Sequence, residues 1–94
     1  MEHIENKSKK LSDTIDFLYP KIDARATGEN IKKLQTQRQI TISELQQILN
    51  LSSEQGIYKW YRGASVPSLD NLVALSSIFD VKIDDILVLQ YKSA

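Results

Sequence analysis

Apolar residues recur along the chain three and four positions apart, and no stretch alternates between apolar and polar residues as a half-buried strand would. This spacing predicts an all-α fold. We expect an N-terminal arm over residues 1–27, with a helix as one alternative for part of it, and a helical domain over residues 28–94. The helices predicted within the domain cover approximately these ranges: 28–38, 41–49, 54–62, 68–79 and 83–87.

The N-terminal arm carries an apolar stripe of its own. Leu11, Ile15 and Leu18 stand at positions i, i+4 and i+7, and Pro20 ends the segment. The stripe fits either a helix that packs on a partner or a tail that is ordered only in part, and the residues favour neither alternative.

Short polar residues mark the starts of the domain's helices. Thr27 is placed to cap the first of them and Ser68 the fourth. Thr41 and Glu44 form a capping box, in which the threonine hydroxyl accepts from the Glu44 backbone N–H and the glutamate side chain reaches back. These signals predict helices that start just after residues 27, 41 and 68.

Two short predicted helices lie between Thr41 and Gly63 and are joined by a tight turn. Asn50 tolerates the left-handed conformation that such a turn requires, Leu51 can anchor the turn in the core, and one of the serines at positions 52 and 53 then caps the next helix. Two short helices joined in this way form a helix-turn-helix when the second one presents polar side chains outward.

A helical wheel of residues 54–62 separates two faces. At about 100° per residue, the apolar face holds Ile57 and Trp60 and should turn inward. The opposite face spans roughly 140°. It displays five residues: Glu54, Gln55, Tyr58, Lys59 and Arg62.

This polar face suits the edges of DNA bases. Gln55 can pair with adenine through two hydrogen bonds, Lys59 can donate to guanine, and Glu54 can accept from the cytosine amino group. Tyr58 can pack on a thymine methyl group or reach a phosphate, whereas Arg62 is better placed for the DNA backbone. The alternative is a polar face that only meets solvent, and helical spacing alone leaves the two interpretations level.

Composition narrows the range of functions. The chain has 94 residues, enough for one small domain, with no cysteine and a single histidine, His3, beside the N-terminus. We expect no catalytic residue, no metal site and no cofactor, because the sequence offers no nucleophile–base pair, phosphate loop or set of metal ligands. No apolar run reaches the roughly 18–20 residues of a membrane span, and the N-terminus lacks the apolar stretch of a secretory signal, so we expect a cytoplasmic protein.

Charge is distributed unevenly although the net charge is zero. Residues 28–63 carry five basic and three acidic residues, whereas residues 64–94 carry two basic and four acidic residues. A basic middle and an acidic end would orient the molecule weakly in the field of DNA phosphates.

Residues 28–88 resemble the XRE/Cro-type helix-turn-helix family, which includes the lambda-like phage repressors. The resemblance implies a compact five-helix, lambda-repressor-like domain that binds double-stranded DNA sequence-specifically, usually as a homodimer, and that controls transcription. It rests on five blocks that follow one another in the expected order and with the expected gaps: Ile31–Leu34, Thr41–Leu45, Ile57–Gly63, Val66–Leu72 and Phe79–Leu87.

Several departures from the family pattern bear on the DNA contacts. Gln46 replaces a small residue, so either the space between the two core helices is wider there or Gln46 reaches the phosphates. Tyr61 replaces a glutamate that in the family often pairs with a basic residue on the first helix. Arg38 should therefore lack that partner and be free to contact DNA. Gly56 lies within the second helix of the motif and costs about 1 kcal/mol relative to alanine.

Five residues are expected to contact phosphates. Thr41 and Ser65 are equally suited to local roles as cap and turn residues. The complete set is Arg38, Thr41, Gln46, Arg62 and Ser65.

Two functions remain open from the sequence. The first is a dimeric repressor on a palindromic operator; the alternative is an antitoxin-like or anti-repressor module that uses the same fold to bind a protein through the arm or the C-terminal helix. The zero net charge, the arm's stripe and Ile42, which stands where related repressors often have a polar phosphate contact, favour the alternative. So does the apolar stretch Ile86–Leu89, which either completes the core or lies in a dimer interface.

Overall fold

The computed structural model describes residues 20–90, and the apolar stripe of the arm lies outside them. The all-α prediction is confirmed, although two short strands that the spacing did not predict close the ends of the domain. The elements of the described residues are β1 (Lys21–Ile22), α1 (Ala24–Gln37), α2 (Ile42–Ile48), α3 (Gln55–Tyr61), α4 (Leu69–Phe79), α5 (Ile83–Ile86) and β2 (Leu89–Gln90). Within this range no helix has the length and apolar character needed to cross a membrane.

The first helix begins earlier than predicted. Its N-cap is Asp23, whose carboxylate accepts from the Ala26 backbone N–H at 3.0 Å. The prediction of Thr27 as the cap is wrong, because Asp23 already caps a free N–H of the first turn and the alanines that follow favour the helix. Residues 24–27, assigned to the arm, are therefore continuous with the first helix of the domain.

The other predicted helix starts are confirmed. Thr41 Oγ1 accepts from the Glu44 backbone N–H at 3.0 Å, and Glu44 Oε1 accepts from the Thr41 backbone N–H at 2.8 Å, which completes the capping box. Ser68 Oγ accepts from the Asn71 backbone N–H at 3.2 Å. Local polar chemistry thus determines where α2 and α4 begin.

The core receives side chains from all five helices. Helices of 4 to 14 residues are unstable alone in water, so they depend on this shared burial, which contributes about 1.5–3 kcal/mol per large apolar side chain. The buried apolar residues are Ile31, Leu45, Ile57, Trp60, Leu72, Leu75, Phe79 and Ile86.

Polar side chains on α1 hold the C-terminal segment in place. Thr27, which is fully buried, accepts from the Val88 backbone N–H at 2.9 Å and donates to the Val88 carbonyl at 3.4 Å. The Asn30 amide donates to the carbonyls of Asp85 and Ile86 at 2.8 and 2.9 Å. Thr27 therefore serves a tertiary contact.

The end of the domain completes the core instead of standing away from it. Ile86 is fully buried, and Leu87 packs against the core at its edge. The chain then forms β2, which pairs antiparallel with β1 so that Leu89 stands opposite Ile22. Of the two alternatives for this apolar stretch, completion of the core is the one observed for residues 86 and 87.

Two successive hydrogen bonds link α3 to α1 and to the residue Ile40 that follows it. The Tyr61 hydroxyl donates to Oε1 of the buried Gln35, whose amide nitrogen donates to the Ile40 carbonyl at 2.8 Å. Burial raises the pKa of Tyr61 above its usual value of 10.0, although the hydrogen bond with Gln35 opposes that rise. The phenol therefore stays neutral and remains a donor at physiological pH.

We predict that Thr27→Val lowers the free energy of unfolding by about 1–3 kcal/mol, because the part-buried Val88 N–H loses its partner. Thr36→Val is the matched control: Thr36 is exposed on the same helix, and its hydroxyl donates only to the Lys32 carbonyl. Urea denaturation of both variants measures the difference. Equal losses would show that the Thr27 bonds do not stabilise the C-terminal segment.

We predict that Tyr61→Phe lowers the free energy of unfolding by about 1–3 kcal/mol at pH 7, because it leaves Gln35 Oε1 buried without a donor. Tyr58→Phe, a change of the same kind at an exposed tyrosine with no such bond, should have little effect.

The pH dependence supplies a second measurement of Tyr61. Its pKa is higher in the folded than in the unfolded chain, so its contribution is present below pH 10 and is lost as the pH rises beyond it. The unfolding free energy of the parent should therefore fall more steeply above pH 10 than that of Tyr61→Phe. Parallel curves would contradict the burial of this phenol.

Candidate nucleic-acid interface

The turn between α2 and α3 has the tight geometry that the sequence predicts. Asn50 has φ 55°, in the left-handed region, which confirms its predicted role. Its N–H donates to the Gln47 carbonyl at 3.1 Å, and the Leu51 N–H donates to the Gln46 carbonyl at 3.0 Å. Leu51 then packs against the core, as expected. These contacts determine the angle at which α3 leaves the turn.

Gln46 makes a hydrogen bond within the motif. It is half-buried, and its amide nitrogen donates to the Leu51 carbonyl across the turn. The side chain therefore helps to close the turn. A phosphate contact of Gln46 stays a prediction.

The predicted division of α3 into two faces is confirmed. Ile57 is fully buried and Trp60 is 5% exposed, so both turn inward. The opposite face carries four exposed residues at positions i, i+3, i+4 and i+7, with Glu54 half-buried at the N-cap. These four are Gln55, Tyr58, Lys59 and Arg62.

Ser53 makes a hydrogen bond at the start of this helix. Its hydroxyl accepts from the Gln55 backbone N–H at 3.2 Å, but the N-cap of α3 is Glu54, so the prediction that a serine caps this helix is wrong. Glu54 makes no capping bond with its side chain. Its carboxylate is therefore not committed to the end of α3.

An aromatic pair orients Tyr58. Its ring lies 6.0 Å from the ring of Tyr61, centroid to centroid, with an interplanar angle of 89°, the edge-to-face arrangement that aromatic rings favour. Tyr61 is held by Gln35, and Lys32 Nζ lies 5.5 Å from the centroid of its ring. Tyr58 thus stands on the outer face against a fixed neighbour, and Lys32 adds a cation beside the pair.

Four of the expected phosphate contacts are exposed on segments that flank α3. Arg38 lies at the end of α1, Thr41 at the start of α2, Arg62 at the end of α3, and Ser65 in the following loop. The Thr41 oxygen accepts from Glu44, which leaves its hydroxyl hydrogen available to donate outward. These four exposed residues supply two cations and two hydroxyl donors.

The partner of Tyr61 on the first helix was not predicted. The structure pairs Tyr61 with Gln35 and leaves Arg38 exposed, as the loss of the family's glutamate led us to expect. The helical period could have found it, since Gln35 continues the buried stripe of Thr27, Gly28 and Ile31 along α1. Lys32, beside the same tyrosine, was also missed.

Charges within the described residues separate by element. The only ion pair between two of them joins Arg25 and Glu29 on α1 at 3.6 Å, and no basic candidate of the interface takes part in it. Asp70, Asp84 and Asp85 lie on α4 and α5, outside the helix-turn-helix. No cluster of three or more potential metal ligands occurs in this part of the chain.

Solved structures share this architecture. The DNA-binding domain of BldD superposes with a TM-score of 0.58 at 15% identity, covering 69% of this chain and 93% of that one. The BldD DNA-binding domain of S. venezulae gives the same score and identity, covering 69% of this chain and 96% of that one. At this identity the likeness establishes the fold.

Sequence comparison identifies the family. No curated protein matches the chain. The family model of the Cro/C1-type HTH DNA-binding domain matches residues 30–92, well over half of the chain, in agreement with the resemblance drawn from the residues. The chain therefore belongs to the Cro/C1-type helix-turn-helix DNA-binding domain family.

Proposed function

We propose that this protein is a sequence-specific transcriptional regulator that inserts α3 into the major groove of double-stranded DNA. The observation that carries the proposal is the burial of Ile57 and Trp60, which turns Gln55 and Lys59 outward on a rigid helix. The helix width fits the major groove, where each base pair has its own pattern of donors and acceptors. The protein acts in the cytoplasm and has no enzymatic role or cofactor.

Four residues on and beside α3 read bases in this proposal. Gln55 pairs with adenine, Lys59 donates to guanine, and Glu54 accepts from the cytosine amino group. Tyr58, whose ring is backed by Tyr61, packs on a thymine methyl group. Residues from the first turn of α3 lie deepest in the groove, as is usual for a recognition helix.

Phosphate contacts surround the bases and set the orientation of the domain. Arg38, Thr41, Arg62 and Ser65 take this role because they are exposed at helix ends and in the loop after α3; Gln46, which is half-buried, is a further candidate. Contacts of this kind position the protein but do not distinguish sequences.

The proposed regulator acts as a homodimeric repressor. A palindromic operator would present two half-sites about 34 Å apart, one turn of B-DNA, and each would receive one recognition helix. Selection of bound sequences from a random duplex pool tests the function and the symmetry together. A palindromic consensus supports the dimer, whereas recovery of no enriched sequence would contradict sequence-specific binding.

The alternative, an antitoxin-like or anti-repressor module, draws support from exposed apolar residues. Ile42 packs at the edge of the core, so it no longer favours a partner surface. Leu69 and Val73, one turn apart on α4, are 79% and 60% exposed, and Ile48 on α2 is 58% exposed. Failure to retain duplex DNA at low salt, with a protein partner bound in its place, would favour this alternative.

We predict a steep dependence of operator affinity on salt. Arg38 and Arg62 neutralise two phosphates per protomer and four in the dimer, which implies a log–log slope of about −3.6, since each neutralised phosphate contributes about −0.9. Arg62→Ala removes one arginine from each protomer and should reduce the magnitude of the slope by about two. Fluorescence anisotropy with a selected duplex, at KCl concentrations from about 50 to about 300 mM, measures both slopes. A flat response would remove the phosphate contacts from the proposal.

We predict that Gln55→Ala and Lys59→Ala each weaken operator binding by roughly 1–3 kcal/mol and relax the preference at one base pair. Gln37→Ala and Lys82→Ala are the matched controls, because both residues are exposed outside the two helices of the motif. Binding to operators with single base-pair changes reveals which position each residue reads. If the two α3 variants discriminate as the parent does, another surface reads the DNA.

A further inference from the structure

The backbones of α1 and α3 approach each other closely at Gly28. This glycine is buried on α1, and an added Cβ would lie 1.7 Å from the Trp60 carbonyl oxygen and 3.1 Å from the Tyr61 Cα. Side-chain carbons do not approach other atoms to less than 3.0 Å, so a methyl group would force the helices apart by at least 1.3 Å at this point. The obstacle is backbone, which cannot rotate away as a flexible side chain can.

Neighbouring contacts prevent a local adjustment of α3. The Trp60 carbonyl accepts from the Gly63 N–H at 3.1 Å, and the Trp60 ring is embedded in the core. Gly63, with φ 75°, in turn lies against the backbone of Arg25 at the start of α1. The C-terminal end of α3 is thus held by several contacts to one helix and would move as a unit.

A movement of this size matters more for base contacts than for phosphate contacts. Hydrogen bonds require donor–acceptor distances of about 2.7–3.2 Å and good alignment, so a displacement of 1.3 Å breaks them. Long cationic side chains can follow a phosphate over such a distance. Because α3 has only seven residues, a shift at Trp60 also reaches Gln55 and Lys59.

We propose that Gly28 is a positioning residue for DNA reading: the absence of its side chain sets the depth and tilt of the recognition helix. The inference rests on the proposed function and adds a residue on α1, outside the helix-turn-helix, that controls sequence discrimination. Gly28 touches no DNA and acts through Trp60.

The test compares Gly28→Ala with Gly56→Ala. Both add one methyl group to a glycine within a helix, but a Cβ at Gly56 would meet only Leu51 Cδ1, at 4.0 Å. The probes are a duplex selected by the parent protein from a random pool and a scrambled duplex of the same composition. Gly28→Ala should lose at least tenfold in affinity for the selected duplex and less than twofold for the scrambled one. Gly56→Ala should keep the parent's ratio of the two affinities.

Circular dichroism separates positioning from folding. If Gly28→Ala is not folded, the double variant with Gly56→Ala is used, because alanine has the higher helix propensity and restores stability. A variant that stays unfolded in both backgrounds overturns the inference, since Gly28 would then be needed for the fold itself. An unchanged affinity ratio, or equal losses for both duplexes, overturns it too. If the parent protein selects no duplex, the proposed function fails, an outcome distinct from all of these.

Discussion

The packing of α3 against α1 is the contact on which the rest of the structure depends. A seven-residue helix that contains Gly56 has no stability of its own in water. Burial of Ile57 and Trp60 stabilises this helix. The same burial determines which of its side chains remain exposed. The candidate interface therefore consists of the side chains of α3 that the core does not bury.

The hydrogen bond between Tyr61 and Gln35 shows how a small domain can hold two helices together without buried charge. Related repressors often place an acid–base pair at this point, but bringing ions out of water costs several kcal/mol each unless their contacts are excellent. A neutral phenol and a neutral amide avoid most of that cost. Because neither group ionises at physiological pH, this bond between α3 and α1 does not depend on titration there.

Local chemistry made much of the motif predictable. The capping box at Thr41, the left-handed turn at Asn50 and the inward position of Ile57 each follow from a residue's own geometry and that of its near neighbours. Tertiary contacts decided the rest. Asp23 and Thr27 are both of residue types that favour helix caps, and only the bonds from Thr27 to Val88 show that Thr27 has another role.

The same distinction explains two contacts that the sequence did not predict. Gln46 is a polar residue near the motif, and composition alone makes it a good phosphate contact. Its amide bonds to a carbonyl across the turn, a partner that lies five residues away and becomes close only when the turn forms. Arg38 stays exposed, but the polar residue of α1 that reaches Tyr61 is Gln35, because it lies on the buried stripe.

The zero net charge of the chain does not oppose the proposed function, because electrostatic attraction is local. At physiological ionic strength charges are screened over about 8 Å, so phosphates respond mainly to the residues beside them. Residues 28–63, which include both helices of the motif, carry five basic and three acidic residues. The acidic residues of α4 and α5 lie outside the motif. Such a small local excess attracts DNA weakly. The proposed regulator must therefore gain its affinity from well-placed base contacts and from two protomers on one site, and both require an accurately positioned α3.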